Sequence, residues 1–157
     1  MKKADFKMIW RKAALIAGFL VGSTLICARL VENLSNSSSF IPPVTGRVAI
    51  VLKYVSYLLA IYSVLALKFV LKLIRPALER EVGTPQGKTA AMLRQVVMTS
   101  SVCITPAYSG FFLFLLTGAY RDFYLLAVFS VVMSTINFPR YSRWQGKIES
   151  ECGPLED

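Results

Sequence analysis

The sequence contains no histidine among its 157 residues, and it has only three cysteines. The absence of histidine excludes bis-histidine haem ligation, histidine-based metal sites and the commonest general base. Cys27, Cys103 and Cys152 lie far apart, so no pair has metal-ligand spacing, and their odd number argues against a disulfide framework. We therefore expect no metal or other cofactor, and we interpret the protein as a non-enzyme.

Long apolar runs are what the sequence has in abundance, because 55% of its residues are hydrophobic. Runs of about 17 to 25 apolar residues match a bilayer core of about 30 Å, and a helix satisfies its own backbone hydrogen bonds there. The sequence predicts an all-α polytopic protein in which residues 1–157 form a single membrane domain. The predicted helices cover residues 13–31, 48–75, 85–117 and 122–138, with a polar non-cytoplasmic loop at 32–47 and a cytoplasmic tail at 140–157.

The basic residues indicate how the four helices thread the membrane. Five Lys and Arg precede the first apolar run, six lie between the second and third runs, and three follow the fourth. The two opposite connections contain only Arg29, Arg47 and Arg121. Because Lys and Arg collect in cytoplasmic loops, we expect an antiparallel four-helix bundle with both termini in the cytoplasm. A signal peptide would be cut after Ala28, but Ile26 is a poor residue three positions before the cut, so we expect the first run to be an uncleaved anchor.

The net charge of +9 does not indicate nucleic-acid binding, because the basic residues flank the apolar runs rather than form a basic face with aromatic platforms. Residues 83–89, GTPQGKT, resemble a phosphate loop but have three residues between the glycines instead of four. We interpret them as a helix start, with Thr84 as N-cap and Pro85 in the first turn. No nucleotide or nucleic-acid partner is therefore expected.

Small and hydroxyl-bearing residues recur at helical spacing and predict faces for helix packing. In the first helix such a face would pack within the chain or form a dimer, in the second it would face the first helix, and those of helices three and four would face each other. In this last pair, the register predicts Thr105 opposite Ser134 and Ser109 opposite Ser130. The predicted packing residues are Ala14, Gly18, Gly22, Ser56, Ala60, Ser63, Ser101, Thr105, Ser109, Ser130 and Ser134.

A transport path is the competing interpretation of the polar residues. None of the four predicted span cores contains Asp or Glu, which disfavours ion coupling through a buried carboxylate. Lys53 is a basic residue within a span, and it would either snorkel to the outer interface or mark a path. Pro106 predicts a kink that could expose carbonyl groups. The candidate path residues are Lys53, Ser101, Thr105 and Tyr108.

A basic stripe follows the second apolar run. Lys68, Lys72 and Arg75 share one side of the predicted helix at i, i+4 and i+7. We expect this stripe to contact anionic lipid headgroups or, alternatively, a protein partner.

The end of the chain carries a resemblance. The segment FLLTGAYRDFYLLAVFS, with the later FPRYSRW, resembles small four-span bacterial inner-membrane proteins usually called uncharacterised, over about the last fifty residues. The resemblance implies a multi-pass protein of the bacterial inner membrane and implies no activity.

Two functions remain open from the sequence. The first is a small non-catalytic inner-membrane protein, an accessory or assembly component whose partners are the lipid bilayer and other membrane subunits or a second copy of itself. The second is a small oligomeric transporter or channel lined by Lys53 and the polar stripe around Pro106.

Overall fold

The computed structural model describes residues 3–80 and 85–152 of the chain, and the secondary structure in these ranges is entirely helical. Four helices are long and apolar enough to cross a membrane, which confirms the prediction of a protein with four apolar helices. The helices are α1 (Lys3–Ser35), α2 (Arg47–Arg80), α3 (Pro85–Thr117), α4 (Tyr120–Ile136) and α5 (Tyr141–Cys152).

The first two helices are longer than predicted, and the chain has a fifth helix that the prediction lacks. Helix α1 begins at Lys3 rather than at residue 13, because its basic N-terminal turns continue the helix and bury Phe6. Helix α2 continues through Pro76 to Arg80, since a proline costs a helix one backbone donor without removing the neighbouring hydrogen bonds. The predicted tail contains α5, an amphipathic helix that buries Trp144 and Ile148.

Helix α3 lies at the centre of the molecule. It packs against α1, α2 and α4, whereas α1 and α2 barely touch each other. In its apolar segment, 44% of the residues are buried inside the chain, compared with 17% in those of α1 and α2. The small face of α2 is buried as expected, but the prediction that it faces α1 is wrong because α2 packs chiefly on α3. That face consists of Ser56, Ala60 and Ser63.

A close approach between helices occurs where α3 meets α4. A Cβ atom at Gly110 would lie 3.1 Å from the Cβ atom of Leu126 and 3.3 Å from the Cα atom of Phe123, so a side chain at this position would crowd α4. Further along the pair, the Ser130 hydroxyl donates a 2.7 Å hydrogen bond to the carbonyl oxygen of Cys103. The two contacts show that α4 folds back along α3.

The side-chain pairing predicted for these two helices is not formed. Ser130 contacts Cys103 rather than Ser109, and Thr105 and Ser109 line a cavity between α2 and α3. The hydroxyls of Thr105 and Ser109 instead donate to carbonyl oxygens of their own helix, at Ser101 and Pro106. A helical hydroxyl can be satisfied by a backbone carbonyl one turn earlier, so matching polar stripes do not determine which helix faces meet.

Two apolar clusters hold the opposite ends of the helices together. The first joins Phe6 of α1 to Met92 of α3 and to Trp144 and Ile148 of α5. Next to it, the indole Nε1–H of Trp10 donates a 3.1 Å hydrogen bond to the carbonyl oxygen of Pro139. This bond attaches α1 to the joint between α4 and α5.

The second cluster lies at the other end and includes part of the loop at residues 36–46. Phe40 stacks on Phe114 with ring centroids 5.1 Å apart, and the second cluster also buries Val31 and Phe123. The backbone N–H of Val44 donates to the carbonyl oxygen of Leu116 at 2.9 Å. The loop, expected from its composition to be polar and flexible, is thus docked on the turn between α3 and α4.

Replacing Gly110 by leucine tests the central contact. We expect Gly110→Leu to lower the free energy of unfolding by about 1 to 3 kcal/mol, because the added side chain would overlap Leu126 and the backbone of α4. Gly146→Leu is the matched control, since a Cβ atom at Gly146 of α5 meets nothing within 4 Å. Unfolding in detergent micelles followed by circular dichroism measures both variants. Equal stability of the two would contradict the close approach.

Candidate functional site

A cluster of three polar side chains lies at the end of the molecule that carries the 36–46 loop. The Lys53 ammonium is 2.9 Å from Oδ1 of Asp122, and the Tyr57 hydroxyl donates a 2.7 Å hydrogen bond to the same oxygen. Lys53 and Tyr57 come from α2, whereas Asp122 comes from α4. The cluster therefore joins two helices that otherwise have few contacts with each other.

Helical spacing brings these three groups together. Lys53 and Tyr57 are four residues apart, which places them on the same face of α2. Asp122 lies in the first turn of α4, where a carboxylate also interacts favourably with the helix dipole. The carboxylate does not cap α4, whose N-cap is Ala119 with no side-chain hydrogen bond, and it reaches across to α2 instead.

The two charges differ in exposure. The Asp122 side chain is 12% exposed, and that of Lys53 is 48% exposed. A carboxylate removed from water needs charged or hydrogen-bonding partners, and here an ammonium and a phenol supply them. The cluster functions as a clamp between α2 and α4, and the ammonium of Lys53 is directed to this carboxylate.

The residues of the predicted transport path do not lie together in the structure. Thr105 and Tyr108 line a cavity of about 320 Å³ between α2 and α3, together with Ser56 and mainly apolar side chains. Neither Lys53 nor Ser101 lines this cavity. The Tyr108 hydroxyl shares a 2.9 Å hydrogen bond with the Ser23 hydroxyl of α1.

Hydroxyl groups of the predicted polar stripe are mostly satisfied within their own helix. Ser101 donates to the carbonyl oxygen of Val97 at 2.9 Å, and Thr105 donates to that of Ser101 at 3.0 Å. Ser130 is the member that bridges two helices, and Ser134 is half-buried. Carbonyl groups bound in this way are less available to a passing solute.

The small-residue face of α1 is open. Cβ atoms built at Gly18 and Gly22 would meet nothing within 4 Å, and Ala14 is half-buried. The buried face of α1 lies to one side of this stripe and includes Ala13 and Ala17. The close approach that two glycines four residues apart permit is therefore not used within residues 3–80 and 85–152.

The basic stripe of α2 is described in part. Lys68 and Lys72 are exposed, and the side chain of Arg75 lies outside the described residues, as does the predicted N-cap Thr84. Helix α3 begins at Pro85, at the predicted position, so the segment that resembles a phosphate loop leads into a helix without a preceding strand among the described residues. Within residues 3–80 and 85–152, no group of three or more Cys, Asp or Glu side chains is placed to hold a metal ion.

Sequence reasoning missed the pairing of Lys53 with Asp122. The sequence predicts Lys53 near the outer end of the second helix and Asp122 at the start of the fourth. These two opposite charges are therefore expected at the same end of the molecule. That common depth was a usable signal for the pair.

Comparison with known proteins does not assign the site, because no protein-family model, no curated protein and no solved structure matches this chain. The geometry of the chain itself is therefore the basis for any proposal about its function.

A double-mutant cycle tests the clamp. We expect Lys53→Met and Asp122→Asn each to destabilise the protein, Lys53→Met more strongly because it leaves the more buried charge without its cation. The double variant should be more stable than the sum of the two effects predicts, with a coupling free energy of about 0.5 to 3 kcal/mol.

Unfolding free energies of the four proteins in detergent give this coupling. Lys68→Met is the control, because it removes an exposed lysine from the same helix. Strictly additive effects of Lys53→Met and Asp122→Asn would contradict the clamp.

Proposed function

We propose that this chain is a small non-catalytic integral membrane protein that acts as an accessory or assembly subunit of a larger membrane complex. The observation behind the proposal is the open glycine face of α1, at Gly18 and Gly22. The occupant we propose for that face is a transmembrane helix of another membrane protein subunit.

The energetics of glycine in a helix support this assignment. Each glycine in a helix interior costs about 1 kcal/mol relative to alanine. In lipid the usual compensation is the close approach of another backbone, with van der Waals contact along the small-residue face. No helix of this chain approaches either glycine within the described residues, since their added Cβ atoms meet nothing. A helix from another subunit would supply the missing contact.

The position of α1 at the periphery supports the same proposal. Only 17% of the residues in its apolar segment are buried, and its main contacts are to α3 and α4, with its first turns packed against α5. The side of α1 that carries Gly18 is therefore free to meet a second protein in the plane of the membrane.

The proposed setting is a bacterial inner membrane, with the helices in an antiparallel bundle and both termini in the cytoplasm. The charge asymmetry of the connections supports this orientation. The resemblance of the last fifty residues to small four-span bacterial proteins supports the choice of membrane.

The alternative function, an oligomeric transporter or channel, receives less support. Lys53, the one charge proposed for its path, is paired with Asp122 and lies apart from the cavity that contains Thr105 and Tyr108. The hydroxyls along the proposed path are largely bound to carbonyl oxygens of their own helix.

Enlarging the glycine face tests the proposed function. We expect Gly18→Leu combined with Gly22→Leu to release the partner subunit, because each added side chain would hold the backbones apart. Phe19→Trp is the control, since it adds bulk at an exposed position of the same helix, about 100° from Gly18 and about 60° from Gly22 around the axis.

Gentle solubilisation followed by native mass spectrometry would measure the stoichiometric complex. The proposal fails if the wild-type protein is a monomer without a second subunit, or if the double glycine variant keeps its partner. A wild-type homodimer that the double variant converts to a monomer would show that the occupant is a second copy of this chain.

Cysteine labelling tests the proposed orientation. In a Cys152→Ser background, we introduce Ser37→Cys in the loop and Ser142→Cys in α5, both exposed positions. An impermeant maleimide added to intact spheroplasts should label the first variant and label the second only after permeabilisation. Cys27 and Cys103 are buried and common to both proteins. The reverse labelling pattern would overturn the orientation.

A further inference from the structure

A pocket of about 250 Å³ lies at the end of the molecule opposite the 36–46 loop, where α3 passes the joint between α4 and α5. Its polar lining comes from Gln95, Thr99, Asn137, Arg140 and Arg143, and Trp144 forms part of the wall. No acidic residue is among the described residues that line it. The lining is therefore basic and rich in hydrogen-bond donors.

One group in this pocket lacks a partner. The Oγ1 atom of Thr99 is buried, in a residue that is 6% exposed, and it forms no hydrogen bond. It is the one buried side-chain oxygen or nitrogen without a partner in the part of the chain that the structure describes. Elsewhere on α3, the hydroxyl of Ser101 is satisfied by the carbonyl oxygen four residues earlier. A buried polar group without a partner is unfavourable unless a bound molecule or water completes it.

The two arginines of the pocket form no ion pair with an acidic side chain among the described residues. Arg140 and Arg143 line the pocket, both are exposed, and neither forms an ion pair with any residue that the structure describes. Guanidinium groups bind phosphate through pairs of parallel N–H bonds, which a planar donor fork provides and an ammonium does not.

The start of α5 adds a third source of positive potential. This helix has 12 residues and begins at Tyr141, between the two arginines. The first N–H groups of a helix lack intrahelical acceptors, and the helix dipole favours an anion beside them. The first intrahelical bond at this end is donated by Trp144 to the carbonyl oxygen of Arg140.

We propose that this pocket binds a phosphate group, held by Arg140 and Arg143 and by a hydrogen bond donated from the buried hydroxyl of Thr99. The phosphate would belong to the headgroup of an anionic phospholipid or to free inorganic phosphate. The aromatic residues nearby, Trp10 and Tyr141, are of the kind that lie at the headgroup level of a membrane. This inference does not depend on the partner helix proposed for α1.

The pocket is separate from the basic stripe of α2. Lys68 and Lys72 do not line it, and α2 contributes only Leu71 to its wall. The stripe would attract an anionic surface without fixing one headgroup, whereas the pocket has donors on several sides and a buried hydroxyl.

Purified protein in a mild uncharged detergent provides the test. The probes are short-chain phosphatidylglycerol, short-chain phosphatidylcholine, and potassium phosphate compared with potassium chloride at equal ionic strength. Retained lipid is counted by native mass spectrometry, and the thermal midpoint is recorded with each probe. We expect phosphatidylglycerol or inorganic phosphate to raise the midpoint in a saturable way.

The variants distinguish binding in the pocket from attraction by the positive charge of the surrounding surface. Arg140→Gln with Arg143→Gln should weaken binding at least about tenfold, the factor that corresponds to one lost charge-assisted hydrogen bond. Lys147→Gln, an exposed change on the same helix outside the pocket, should leave binding unchanged. Thr99→Val should weaken binding while leaving the ligand-free midpoint equal or higher, because it removes an unsatisfied hydroxyl.

The outcomes distinguish the two sources of phosphate. Stabilisation by phosphatidylglycerol alone identifies a lipid headgroup, and stabilisation by potassium phosphate identifies the free anion. The proposal is overturned if neither phosphatidylglycerol nor inorganic phosphate binds. It is also overturned if the double arginine variant binds as tightly as Lys147→Gln, since binding would then reflect surface charge alone.

Discussion

The close contact between α3 and α4 is the constraint on which the rest of the arrangement depends. Gly110 lets the two helices approach until its missing side chain would lie 3.1 Å from Leu126. Ser130 then bridges to the carbonyl oxygen of Cys103 in the interior of the pair. With α4 held against one side of α3, the remaining faces of α3 are left to α1 and α2, which hardly contact each other. The molecule is therefore built around one central helix.

Polar chemistry is concentrated at the two ends of this helical framework. At the loop end, the charges of Lys53 and Asp122 are paired, and the pair connects α2 to the start of α4. At the other end, Arg140 and Arg143 are unpaired within the described residues and surround the unsatisfied hydroxyl of Thr99. The first arrangement satisfies its charges internally, which suits a structural role. The second has donors in excess, which suits an anion from outside.

The glycine face of α1 has a different character from both ends. Gly110 and the pair Gly18 and Gly22 are all helical glycines among apolar residues, and the sequence does not tell them apart. In the structure, the space beside Gly110 is filled by α4, and the space beside Gly18 and Gly22 is empty. The same residue type thus serves internal packing in α3 and leaves a surface for association on α1.

The number of membrane helices and their placement along the chain follow from the sequence alone. Each apolar run is a local property of the sequence, and its length can be compared directly with the thickness of a bilayer. The beginning of α3 at Pro85 was also predicted, because proline is favoured in the first turn of a helix. The register of α4 on α3, the partner of α2 and the pairing of Lys53 with Asp122 were decided only by tertiary structure. Each depends on which faces meet, and hydroxyls that bond within their own helix, or charges that could snorkel, leave that choice undetermined in the sequence.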